Sequence, residues 1–393
     1  MVRRRILVAP VTVSPTKPLT PTHLKHLLSF DVLCRATSLF ADVHLLYNHS
    51  TFAGTRQVAG FWEFLDRVHP ALCYQDLTEE QIGELYMEHQ RSARVPFSEL
   101  QPVVRRAENG WVHPATSRIL EIWEQHYRLL GMSDIKLGGG HAEPAPVDEV
   151  VETLTAHHLC VDGRPLGAPV YLDATPAGLP LRVVISAEGH ANYLFRALQE
   201  LIPSLGWHDL VLLVYDKELR HDYLVLEHVL SRLGAAVERL ELVRVPIGGE
   251  VRSSREGGWQ GYTIGGFAGP VVDEFGREAF RLGLRLYLLA GLGRGQGESF
   301  SLPHLKRWVR RAQRLLDAAG ADTEIGAGAD AEIGAGADAE IGAGADAETG
   351  DLPGQLSRLA GRRGFLDSYR LTTTMLTRDS GIPLRELLRV VYL

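Results

Sequence analysis

The stretch from Val13 to Ala36, VSPTKPLTPTHLKHLLSFDVLCRA, sets a proline-punctuated loop carrying Lys17, Thr20, Thr22 and His23 between two regular patterns. Upstream, Ile6 to Val13 is a short apolar run of the kind that forms a strand covered on both faces. Downstream, Leu24, Leu28 and Val32 recur at helical spacing with Leu27 beside them, while Lys25, His26 and Asp31 fall largely elsewhere on the wheel. A strand, a tight loop and a helix N-terminus form the phosphate-binding end of a doubly wound α/β fold, because free backbone N–H groups and the helix dipole both point at an anion. The same residues also read as an ordinary helix start, since a hydroxyl N-cap at Thr20 and proline at the first helical position explain TPTH without any ligand.

Three more polar clusters follow. Val43 to Tyr47 reads as a second strand, and Asn48 to Gln57 stands at its end, where an open parallel sheet places its ligands. Leu210 to Tyr215 is a buried strand followed by Asp216 and His221, a pair that a charged strand-to-helix loop explains equally well. Arg252, Ser253, Ser254 and Arg255 lie between glycine pairs, which suits either a mobile anion-binding loop or a solvated turn.

The elements that must position these groups are largely helical. From Phe61 to about Leu130, FWEFLDRV, LTEEQIGELYMEHQ and SRILEIWEQHYRLL each place apolar residues three or four apart. Thr78 and Gln81 form a capping box, and Phe61, Trp62, Trp123 and Tyr127 are expected in the core. Gly138-Gly139-Gly140 is a break without the Lys-Ser/Thr of a phosphate loop. Val147 to Asp173 reads as a helix and a short hairpin, and Arg277 to Leu289 and Leu302 to Ala319 as helices, the latter with Leu305, Val309, Ala312 and Leu316 on one stripe. A tract from Ala321 to Gly350 repeats with a period of eight, ADAEIGAG, and is too poor in apolar residues to bury a core. RELLRVVYL at the C-terminus is apolar enough to dock back.

Composition excludes several classes. With 393 residues, 45% hydrophobic and 23% charged, the chain is globular with room for two or more domains. No apolar run reaches the roughly 18 residues of a membrane span, and the Arg3-Arg4-Arg5 start lacks a signal-peptide shape, so a cytoplasmic setting is expected. Cys34, Cys73 and Cys160 are widely spaced and 16 histidines are scattered, which indicates neither a disulfide framework nor a zinc site. The net charge of −7 comes from eight carboxylates in the repeat; the rest carries about one positive charge, with no global signature of nucleic-acid binding and none expected for DNA.

Four segments, in order, resemble class I aminoacyl-tRNA synthetases, and arginyl-tRNA synthetases most closely, and a fifth matches loosely. Ser14 to Leu24 resembles the loop S-P-N/T-x-x-P-x-H-x-G-H-L, whose histidines embrace the ATP phosphates; the second is His23, the first is Thr20, and the glycine against which adenine lies is Thr22. Asn48, Gly54 and Gln57 match N-x-x-G-D-W-G-x-Q loosely. Arg182 to Leu198 resembles R-V-L-x-x-S-D-G-x-x-x-Y-x-x-R-D-I-A, with Tyr193 and Arg196 kept and the pocket aspartate replaced by Ala197, which argues against arginine as substrate. Val214 to His221 is similar to G-x-D-x-x-x-H with one residue added, and Gly248 to Gly258 to the mobile K-M-S loop, its lysine replaced by Val251.

The resemblance implies a Rossmann-like, doubly wound parallel sheet in residues 1–265 with an insertion at about 60–180, a helical bundle at 266–320, the repeat as a linker at 321–350 and a helical segment at 351–393, without an anticodon-binding domain. It implies ATP and Mg²⁺ and formation of an aminoacyl adenylate, with transfer to tRNA or a small acceptor; the alternative is a degenerate paralogue that only binds. His23 and Thr20 would hold the phosphates, and Arg252, Ser253, Ser254 and Arg255 the leaving pyrophosphate. Lys17, Thr22, Asp216 and His221 would bind ATP, and Tyr193, Glu188, Arg196, Asn48 and Gln57 the amino acid or a related carboxylate. No protein metal ligand is implied.

Overall fold

Four parallel strands build the central sheet of this computed structural model, which describes residues 3–132, 144–251, 256–293, 295, 297–329, 351–377 and 381–393. The triple glycine at 138–140, the Arg252–Arg255 turn and the repeat from residue 330 onward lie outside the described residues. Strands β1 (Arg5–Pro10), β2 (Asp42–Leu45), β6 (Leu210–Asp216) and β7 (Val237–Leu242) run parallel in the order β2-β1-β6-β7. Helix α1 (Pro21–Ser38) returns β1 to β2, and α8 (Arg220–Arg232) returns β6 to β7. The two crossovers leave in opposite directions, so right-handed connections put their helices on opposite faces. Packing agrees: Leu33 of α1 is buried with Ile6, Val8 and Leu212, and Leu226 and Val229 of α8 with Leu7, Ala9 and Val211. A crevice therefore opens between the carboxyl ends of β1 and β6, the expected fold class and its ligand-binding edge.

Between β2 and β6 the chain makes α2 (Arg56–Val68), α3 (Glu79–Arg91), α4 (Phe97–Glu108) and α5 (Pro114–Leu130), then α6 (Val147–Ala156), β3 (Cys160–Asp162), β4 (Val170–Leu172), β5 (Arg182–Ile185) and α7 (Tyr193–Leu201). The expected capping box closes α3: Thr78 Oγ1 accepts from Gln81 N at 3.2 Å and Gln81 Oε1 accepts from Thr78 N at 2.9 Å. Phe61, Trp62, Trp123 and Tyr127 are buried as expected. The hairpin after α6 gains a third strand, because β5 pairs antiparallel with β4 instead of joining the parallel sheet.

After β7 come α9 (Ile264–Phe275), α10 (Arg277–Leu286), α11 (Leu302–Ala329), α12 (Leu352–Ala360), α13 (Ser368–Met375) and α14 (Leu384–Leu387). Helix α11 runs past the expected end at Ala319 into the first repeat unit. The C-terminal segment docks back: Leu387, Val391 and Tyr392 are buried with Val32 and Ala36 of α1 and with Leu282 and Leu286 of α10. At the centre of this contact Arg285, fully buried, donates to Asp31 Oδ2 at 2.6 Å and to the Leu130 carbonyl at 2.8 Å. Burial lowers the pKa of this guanidinium, and the Asp31 carboxylate opposes that shift. A buried cation that loses its counter-ion retains its desolvation cost. Asp31→Ala is therefore expected to cost about 3–5 kcal/mol, more than truncating an exposed ion pair, read as a shift in the urea midpoint.

Candidate functional site

Thr20 caps α1 in extended conformation, and His23 three residues on turns its ring back over the cap. His23 Nδ1 accepts the Thr20 main-chain N–H at 3.1 Å and lies 3.2 Å from Thr20 Oγ1. A main-chain N–H can only donate, so the neutral ring carries its proton on Nε2. Burial drives the His23 pKa well below the ordinary histidine value, assisted by Lys17, His26 and Arg244, with the Pro18 carbonyl opposing. One turn on, burial and then the Lys25 and Arg244 charges lower His26 to about 3, against an opposing pull from Glu218. Both rings are neutral at physiological pH, which makes His23 a hydrogen-bond donor and leaves positive charge to Lys17 and Arg244.

The helical insertion fixes the preceding loop. Glu79, at the start of α3 and 4% exposed, accepts from Leu19 N at 3.2 Å, from Trp123 Nε1 at 3.2 Å and from His126 Nε2 at 3.0 Å. Thr116 Oγ1 on α5 donates to the Pro15 carbonyl at 3.1 Å and accepts from Trp62 Nε1 at 2.9 Å. Gly83 supplies the clearance, since a Cβ there would stand 2.5 Å from Pro18 Cδ and 2.8 Å from the Trp259 ring.

A cavity of about 550 Å³ opens at this junction, lined by Lys17, Thr20, Thr22, His23, Gln57, Tyr193 and Asp216 among others. Seven residues selected from the sequence thus meet at one place. Asp216 ends β6; its Oδ2 accepts from Arg244 Nε at 2.8 Å, and Arg244 Nε also lies 3.2 Å from Glu218 Oε2. Burial, and then Asp216 beside it, raise the Glu218 pKa. Asp216 Oδ1 is buried without a hydrogen-bond partner. Thr22 Oγ1 accepts from Val245 N at 3.0 Å and lies 3.4 Å from the Val245 carbonyl. Across the cavity the Tyr193 hydroxyl donates to Asp222, which pairs through its other oxygen with Arg182 at 2.9 Å, and burial followed by Asp222 raises the Tyr193 pKa.

Four expected residues stand elsewhere. Asn48 is buried with Nδ2 on Glu200 at 3.0 Å and Oδ1 on Ser50 N at 2.9 Å, so its amide holds a turn. Arg196 pairs with Glu108 at 3.1 Å, and its guanidinium packs against Gly54. Glu188 is exposed in the bend after β5, and His221 is exposed in the first turn of α8; neither lines the cavity. Arg252, Ser253, Ser254 and Arg255 lie outside the described residues. The sequence reading missed His26, Arg56, His190, Asn192 and Arg244, all of which line the cavity. Arg244 follows β7, at the carboxyl end of a parallel strand that the sequence pattern did not reveal.

The two half-buried histidines give a pH signature. With folded pKa values below the unfolded 6.5, His23 and His26 refuse protons that the unfolded chain accepts, so stability falls as pH drops from about 6.5 toward 3 and is unaffected above that window. His26→Asn is expected to flatten the dependence of unfolding free energy on pH by about 1.4 kcal/mol per pH unit between pH 6 and 4, measured by urea titration.

No protein-family model matches the sequence, and no curated protein matches it. Solved structures do match. The Thermus thermophilus arginyl-tRNA synthetase aligns with 100% of this chain and 75% of its own, at 15% identity and a TM-score of 0.60. A Campylobacter jejuni chain assigned as an arginyl-tRNA synthetase aligns over 99% of this chain and 90% of its own, at 15% identity and TM-score 0.55. The arginyl-tRNA synthetase of Plasmodium falciparum aligns over 77% and 55%, at 15% identity and TM-score 0.54. The likeness to the Thermus enzyme takes in the helices beyond residue 320, which the motifs did not reach. The fold of this chain is that of arginyl-tRNA synthetases.

Proposed function

We propose that the chain is an ATP-dependent, adenylate-forming ligase or transferase of class I synthetase type, working in the cytoplasm on an amino acid or related carboxylate. The observation that carries this reading is the cavity at the N-terminus of α1, where Lys17, His23 and Arg244 meet the buried, unpartnered Asp216 Oδ1. A volume of about 550 Å³ lies within the roughly 300–1,000 Å³ of small-molecule sites. No helix among the described residues is long and apolar enough to cross a membrane.

In this reading the substrate carboxylate attacks the α-phosphorus of ATP, forming an acyl–phosphate bond as the bond to pyrophosphate breaks. Such a reaction needs alignment and stabilised phosphate charge, with no nucleophilic side chain. His23 Nε2–H, Lys17 and the Thr22 main-chain N–H at the start of α1 hold phosphate oxygens. Asp216 Oδ1 accepts from the nucleoside, and Tyr193 and Gln57 bound the amino-acid end. Arg252, Ser253, Ser254 and Arg255 supply charge and hydroxyls to the leaving pyrophosphate. Mg²⁺ would enter with ATP and supply charge to its phosphates. Transfer then goes to tRNA or a small acceptor.

Thr22 favours a second reading. Its hydroxyl engages the main chain of Val245 where the related loop has glycine, which narrows the approach of a base and fits a degenerate paralogue that binds without catalysis. Exchange of labelled pyrophosphate into ATP, assayed with pooled amino acids and tRNA, separates the two. Exchange is expected, with His23→Ala reducing it about a hundredfold. Thr22→Gly is expected to tighten ATP about tenfold by removing the side chain from the base's path. No exchange with any amino acid and no ATP-induced thermal shift would establish the binder.

A further inference from the structure

We infer that the activated amino acid carries an uncharged, apolar side chain, an inference that rests on the proposed function and concerns the end of the same cavity beyond Tyr193. The floor there is formed by Phe52, Ala197, Tyr223 and Leu226, which separate the main cavity from a side hollow of about 30 Å³. A hollow of that volume is too small for a guanidinium group.

The carboxylates nearest the floor already receive donors from this chain. Asp222 accepts from Tyr193 and Arg182. Glu200, which lines the side hollow, receives Asn48 Nδ2 at 3.0 Å and Thr51 Oγ1 at 2.5 Å on one oxygen, and burial raises its pKa. Glu108 holds Arg196 at 3.1 Å, and Asp216 holds Arg244 through Oδ2 while its Oδ1 is the atom assigned above to the nucleoside. Positive charge also stands nearby: Arg56 lines the cavity, and after burial Arg196 and Arg56 both depress the His190 pKa, against Glu188. A cationic side chain on this floor would lose its hydration beside carboxylates that already serve other donors. An anionic one fares no better, because Arg56 turns its Nη2 to the Val95 carbonyl at 3.2 Å, and the floor offers hydrocarbon and one phenol.

The test measures pyrophosphate exchange by the full-length protein with each amino acid separately, tRNA present, alongside calorimetric binding of leucyl-, phenylalanyl-, glutamyl- and arginyl-sulfamoyl adenosine. Exchange and analogue binding are expected to favour an apolar amino acid over arginine, lysine, aspartate and glutamate by at least about tenfold. Ala197→Asp, which puts a carboxylate on the floor, is expected to weaken the apolar analogues and strengthen the arginyl one. Preference of the wild type for a charged amino acid overturns this inference while leaving the proposed function intact. No exchange and no analogue binding overturns the proposed function, and this inference with it.

Discussion

The buried carboxylate of Glu79 is the constraint on which the rest of the site depends. Its three donors come from the proline loop, from an indole and from an imidazole, so the start of α3, the body of α5 and the residue before the α1 cap are tied at one point. Moving the loop would strip donors from a group that water cannot reach, which costs more than any exposed hydrogen bond returns. Thr116 on Pro15 and the clearance at Gly83 act in the same direction. Lys17, Thr20 and His23 are thereby presented by a loop held from both sides.

The remaining walls come from pieces that fold for other reasons. The sheet order forces Asp216 to the crevice beside β1, and the edge strand β7 delivers Arg244 and Val245 against it. The small antiparallel sheet carries Arg182 to the Asp222–Tyr193 pair, so a surface cluster orients an aromatic wall. The cavity is an intersection of three packing solutions, and its net charge follows from which side chains each solution exposes there.

Much of this was legible in the sequence where local chemistry and tertiary packing agree. The Thr20 cap, the Thr78–Gln81 box and the apolar runs of β1 and β6 each encode their own geometry within a few residues, and the loop positions of Lys17, His23 and Asp216 followed from them. Strand β7 escaped notice because its pattern, VERLEL, alternates charge on a half-covered edge and lacks the apolar density of its neighbours. Helix α4 was obscured by Pro102 within it. Arg196 and Asn48 were misplaced for another reason: residue type gives donors and acceptors, and only the folded chain shows that Glu108 and Glu200 have already claimed them. Arg285 illustrates the same limit, since a guanidinium in a helix pattern reads as surface until Asp31 and the Leu130 carbonyl surround it.

Helix α1 has 18 residues and therefore spans about 27 Å. Its first turn presents His23 to the cavity, Lys25 Nζ donates to the Leu292 and Gly293 carbonyls, and its last turns carry Asp31, Val32 and Ala36 into the C-terminal helices. A rod gripped at both ends transmits displacement with little loss, so a macromolecule that tightened its hold on the C-terminal helices would also stiffen the end of α1 at the cavity. Thermodynamic reciprocity then requires a filled cavity to strengthen that grip by the same factor.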